Sequence, residues 1–166
     1  MMLLLAAAFA LLPQDVDNPQ YKYWSSCKVG SWSKMKMDMD RGGQKAESEM
    51  TYKLLELKDG VAVVEVSGKS KFGAQEYPIP AQKQEIKAKE SADKVKIEKE
   101  GDEEIEVAGR KLKCHWYEFV SKSGEKETKG KVWMSTDIPG GMARMSMGGL
   151  EGGMPIVMNA LEWEKK

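Results

Sequence analysis

The sequence predicts a mostly β protein, an antiparallel meander that curls into a curved sheet or half-barrel, with one short N-terminal helix. Three observations carry this reading. From Trp32 onward apolar and polar residues alternate at period two, most clearly in "SKMKMDMD" (33–40) and "EMTYKLLEL" (49–57). Turn signals recur at "KDG" (58–60), "KFG" (71–73), "ESADK" (90–94), "EGDEE" (100–104), "VAG" (107–109), "KSGEK" (122–126) and "TDIPGG" (136–141). No helical stretch of useful length falls between those turns.

The first residues, "MMLLLAAAFALLPQD", hold an apolar run from Leu3 to Leu12. It is too short for a bilayer, which needs about 20 residues. It fits the apolar region of a secretory signal, with "AFA" (8–10) as a small-x-small cleavage site, although no Lys or Arg precedes it. Residues 1–17 are therefore read as a signal peptide and 18–166 as a single β domain without a transmembrane segment. The other reading of the run is an apolar first strand or helix of the mature domain. Export implies a periplasmic or extracellular location. Lys+Arg and Asp+Glu balance at 26 each, which sets nucleic acid aside as a partner.

Asn18 is suited to cap a helix that has Pro19 in its first turn, with Tyr23 and Trp24 pinning the helix and Gly30 ending it. In the next strand Met35, Met37 and Met39 share one side. Met50, Tyr52 and Leu54 share a face of the strand that follows, where the Leu54–Leu55 doublet breaks the alternation and marks a bulge. "KDG" closes a hairpin into "VAVVEVSG". Tyr77–Pro80, "YPIP", is unsuited to an interior strand because proline donates no ladder hydrogen bond. "QKQEIKAKE" (82–90) and "DKVKIEKE" (93–100) alternate with few apolar residues and read as a long exposed hairpin, 82–104. "RKLKCHWYEFV" puts Leu112, Cys114 and Trp116 on one face, and His115 with Lys111 and Lys113 on the other, exposed one. "MARMSM" (142–147) and "PIVMNALEWE" (155–164) are the last strands.

The chemistry-bearing motifs fail on spacing. "GKS" (68–70) lacks the first glycine of a phosphate loop, since Val63 holds that place. The glycine pairs from Gly140 to Gly153 read as turns, with "GGLEGG" a loop before the last strand. His115 is the only histidine, Cys114 beside it points to the opposite face, and Glu103–Glu104 sit among other charges. No catalytic constellation, metal cluster or cofactor motif emerges, so the expectation is a protein that is not an enzyme. Cys27 and Cys114 can form one disulfide in an exported chain, or stand as two small buried hydrophobes.

The methionines admit three readings: core filling, a soft-metal site for Cu(I), or an adaptable apolar surface. The segments "VAGRKLKCHWYEF" and "KGKVWMSTDIPGGMARM" bear on the choice. Val107, Gly109, Cys114, Val132, Trp133, Met134, Pro139, Gly140, Gly141 and Arg144 resemble the pattern of small exported proteins with a lipoprotein-carrier-like (LolA/LppX-type) half-barrel, mainly over 107–147. The resemblance implies a curved sheet whose apolar concave side holds an acyl chain, a lipid or a lipidated partner. The expected function is thus an exported, non-catalytic binding protein. Its ligand-binding residues are expected to be Met35, Met37, Met39, Tyr52, Leu54, Trp116, Met134, Met145 and Met147. The alternatives are a structural or assembly protein of the envelope without a ligand, and Met-based copper binding.

Overall fold

A computed structural model describes residues 15–41, 44–91, 95–123, 126–148 and 156–166. In chain order these form β1 (Asp15–Asp17), α1 (Pro19–Ser25), β2 (Trp32–Arg41), β3 (Gln44–Lys58), β4 (Val61–Phe72), β5 (Gln75–Lys87), β6 (Lys89–Ser91), β7 (Val95–Val107), β8 (Arg110–Ser123), β9 (Lys126–Met134), β10 (Met142–Met147) and β11 (Ile156–Glu164). Nine strands make one antiparallel sheet in the order β5-β4-β3-β2-β11-β10-β9-β8-β7, and β1 pairs separately with β6. Two meanders, β2 to β5 and β7 to β11, meet at the β2–β11 seam.

This order forces the sheet to curl. β5 and β7 are its two edges, yet the chain passes from Lys87 to Val95 in eight steps, a reach of at most about 29 Å. Nine flat strands would set those edges about 38 Å apart. The edges must therefore approach, and the sheet becomes an open half-barrel. The expected exposed hairpin 82–104 is not formed, because its two arms lie on opposite edges. Alternation assigns a strand's two faces but does not name its partner. Pro78 and Pro80 stand on the β5 edge, where a missing N–H costs no ladder bond.

The turn expected at "EGDEE" (100–104) is not formed, because those residues stay paired with β8 inside β7, but other local signals did their expected work. Asn18 accepts a hydrogen bond from Gln20 N at 2.9 Å and caps α1, with Pro19 in its first turn. The helix ends at Ser25, so Gly30 belongs instead to the turn leading to β2. Asp59–Gly60 makes a two-residue turn between β3 and β4. The β3–β4 register slips between Leu54 and Glu56, which is the bulge expected at the leucine doublet. "MARMSM" is β10, whereas 149–155 lies outside the described residues. So does the expected leader up to residue 14. Asp15–Asp17, counted with that leader, pairs with Lys89–Ser91.

The helix is the plug of the curved sheet. Tyr21 and Trp24 pack with Leu54, Ala62, Val64 and Ile86 of the first meander. Tyr23 and Trp24 also lie against Gly141 and Gly140, between β9 and β10 of the second. Seven residues of helix extend only about 10 Å, so the sheet must wrap around α1 for both halves to touch it. The face bearing α1 is therefore the concave one.

Candidate functional site

Register places every described methionine on that concave face. Met35 pairs with Met50, Met37 with Met158, Met158 with Met145, and Met142 with Met134. Paired residues point to the same side, and so do residues two apart, which brings in Met39 and Met147. Five strands, β2, β3, β9, β10 and β11, thus contribute methionines to one continuous surface.

The surface has two halves. Around α1 it is sealed: Trp24 is 1 % exposed, Leu54 0 %, Met35 2 % and Met134 4 %. A void of about 40 Å³ lies there, lined in part by Trp24, Met35, Tyr52 and Met142. That is space for water rather than for an organic ligand. Burial also raises the pKa of Tyr52, whose hydroxyl lies 3.9 Å from Met50 Sδ. Towards the β2–β3 and β8–β9 turns the surface opens. Met37, Met39, Met145, Met147, Val132, Tyr117 and Phe119 are only half-buried.

The expected ligand-binding set therefore divides. Met35, Leu54, Tyr52 and Met134 belong to the helix-plugged end, and Met37, Met39, Met145 and Met147 to the open half. Trp116 lies on the opposite face, because it pairs with Trp133 while its neighbour His115 pairs with Met134. There Lys131 Nζ sits 4.1 Å and 4.7 Å from the Trp116 and Trp133 ring centres, and Glu103 accepts hydrogen bonds from Trp133 and pairs with Lys131. Those contacts, the Trp133 bond first, lower the pKa of Glu103. Trp116 thus braces the convex face. Met158, Val132, Tyr117 and Phe119 were missed as site residues. The signal for Tyr117 and Phe119 is their period-two spacing from His115, on the face that Lys111 and Lys113 mark as exposed in the sequence.

His115 is in fact half-buried and held by carboxylates. Its Nδ1 lies 2.7 Å from Asp102 and its Nε2 3.5 Å from Glu100, while Tyr117 meets the ring edge-on at 4.7 Å. The Asp102 hydrogen bond is the main cause of its raised pKa. An open cleft of about 430 Å³ adjoins it, where Arg110–Cys114 of β8 run past the end of β9. Tyr23, Met134 and Thr136 line it, together with the charged Asp102, Glu103, Glu104 and Lys113.

The cleft has the size of a ligand site, and the thiol that lines it is not activated. Burial, followed by the charge of Glu103, pushes the Cys114 thiol up to about 11, so it stays protonated at neutral pH. The disulfide left open by the sequence is not formed. Cys114 packs with Leu112, Ala143 and Ile138, whereas Cys27 packs with Trp24 and donates to Tyr23 O at 3.3 Å. Among the described residues no group of three or more His, Cys, Asp or Glu is placed to hold a metal ion.

The His115 contacts make stability depend on pH. The folded-state pKa stands above the ordinary 6.5, so the stabilisation is complete below about 6.5 and fades as pH rises through the folded value. The gap in urea midpoint between the native protein and His115→Asn is expected to shrink from pH ~5.5 to pH ~8.5. A constant gap across that range would show that the two carboxylates do not hold the imidazolium.

Among the described residues no helix is long and apolar enough to cross a membrane. No family model matches the chain, and no curated protein matches it in sequence. Among solved structures the chain is similar to a DUF1329 family protein from Desulfovibrio piger, at 10 % identity over 89 % of this chain and 90 % of that one, with a TM-score of 0.36. So remote a likeness carries nothing of that protein's properties over to this chain.

Proposed function

We propose that this is an exported, non-catalytic binding protein that holds an acyl chain, free or attached to a lipid or a protein, on the open half of its concave face. One observation carries the reading. The methionines of β2, β10 and β11 all face the concavity, and away from α1 Met37, Met39, Met145 and Met147 are half-buried around a buried Met158. Unbranched thioether side chains repack around apolar ligands of varied shape more readily than Leu or Val. The row Ser48–Met37–Met158–Met145–Val132–Tyr117 crosses six strands, about 24 Å along the sheet. That arc matches a long acyl chain. The lipoprotein-carrier resemblance over 107–147 supports the same reading.

The test is native mass spectrometry of protein purified from its own cell envelope, followed by titration with a fluorescent fatty acid. Co-purified lipid and saturable probe binding are expected. Met145→Gln and Met147→Gln should each weaken the probe about tenfold, since fully burying a methionine contributes about 1.5–3 kcal/mol. Protein that is only ever ligand-free and binds no probe overturns the proposal. That outcome favours a structural role, the reading supported by the sealed end of the face around Trp24.

A further inference from the structure

We infer that the cross-strand row Met37–Met158–Met145 is a thioether site for one soft monovalent cation, Cu(I) or its stand-in Ag(I). The three residues lie side by side on adjacent strands: Met37 of β2 pairs with Met158 of β11, which pairs with Met145 of β10. Directly paired side chains start about 4.5–5.5 Å apart at Cβ. Each methionine has three rotatable bonds beyond Cα. The concave curvature tilts the outer two side chains towards the middle one, so the three sulfurs can converge on a point above Met158.

The surroundings select for softness. Ser48 and Val132 continue the row at its two ends, so no charged side chain stands in it between β3 and β9. A hard divalent cation finds no carboxylate there, whereas neutral thioethers are the donors that Cu(I) prefers. Met158 is 6 % exposed and supplies a buried sulfur, while half-buried Met37 and Met145 leave an entry from the open side. The other methionine pairs differ. Met35–Met50 and Met134–Met142 offer two sulfurs each and belong to the plugged end.

This inference is independent of acyl binding, and leucine separates the two. Leucine keeps the apolar bulk and removes the sulfur. The full chain is titrated with Ag(I), and anaerobically with Cu(I) against a chromophoric chelator. One equivalent is expected to bind. The triple variant Met37→Leu/Met145→Leu/Met158→Leu is expected to lose it while still binding the fluorescent fatty acid. The pair variant Met35→Leu/Met50→Leu is expected to keep it. Retention of the ion by the triple variant, which still has Cys27, Cys114 and His115, overturns the site. Methionine methyl NMR of the unmutated protein gives a reading that needs no variant to fold. Ag(I) should move the Met37, Met145 and Met158 resonances and leave Met134 and Met142 in place. Shifts confined to other residues, or none at all, overturn it equally.

Discussion

Trp24→Ala is expected to destabilise the protein by about 3–5 kcal/mol, the range for removing a large buried aromatic side chain. The side chain is 1 % exposed and is the only buried residue of α1. It packs with Leu54, Ala62, Val64 and Ile86 on one side and against Gly140 on the other. No neighbour can collapse into the space, because those contacts come from strands anchored in hydrogen-bonded ladders. A cavity therefore persists and adds to the lost transfer energy. Seven residues cannot hold a helix by propensity alone, so α1 should come loose together with the Asn18 cap. Trp24→Phe is expected to cost the smaller share. It keeps most of the buried area and removes an indole N–H that finds no acceptor among the described residues. Urea denaturation of the three proteins measures both steps. Equal midpoints for native protein and Trp24→Ala would show that α1 is not the plug that closes the concave face.

What the sequence made legible follows from the range over which each signal acts. Asn18–Pro19, Lys58–Gly60, the Leu54–Leu55 doublet and Pro139–Gly141 specify their own backbones within a few residues, and each forms the cap, turn or bulge expected of it. Strand alternation also held, and with it the curved antiparallel sheet. Questions of partnership did not yield to such signals. Residues 82–90 and 95–100 look like two arms of a hairpin because both are charged and alternating. Gln82–Lys87 pairs instead with β4, Lys89–Ser91 with β1, and Val95–Glu100 with β8.

The candidate site was half visible for the same reason. Within β2 the spacing of Met35, Met37 and Met39 places them together. Joining them to Met145 and Met147 needs the β11 seam, where Met158 completes the row. Trp116 was grouped with Met134 although the β8–β9 register puts them on opposite faces. His115 was read as exposed because its neighbours Lys111 and Lys113 are exposed. Those lysines stand where β8 runs past β9, while His115 is the first residue with a partner on it.

The glycine pair after Pro139 is where turn chemistry and helix packing meet, and Gly140→Ala is expected to cost about 2–5 kcal/mol. Two terms add. Gly140 has φ +76°, a conformation that costs an L-residue about 1–2 kcal/mol. A β-carbon there would also stand 2.6 Å from Trp24 Cε2, and overpacking of this kind costs about 1–3 kcal/mol. Trp24 has nowhere to retreat, since the strands around it are fixed by their ladders, and the turn is tied by Ser135 N to Gly141 O at 2.7 Å and Gly141 N to Ile138 O at 2.8 Å. The two terms separate in a double-mutant cycle. With Trp24 already reduced to alanine the clash is gone, and Gly140→Ala should cost only the backbone term, about 1–2 kcal/mol. The double variant is then more stable than the sum of the single losses implies. Strict additivity in urea melts would mean that the turn and the helix do not touch, and that the concave face is closed at this end by something other than Trp24.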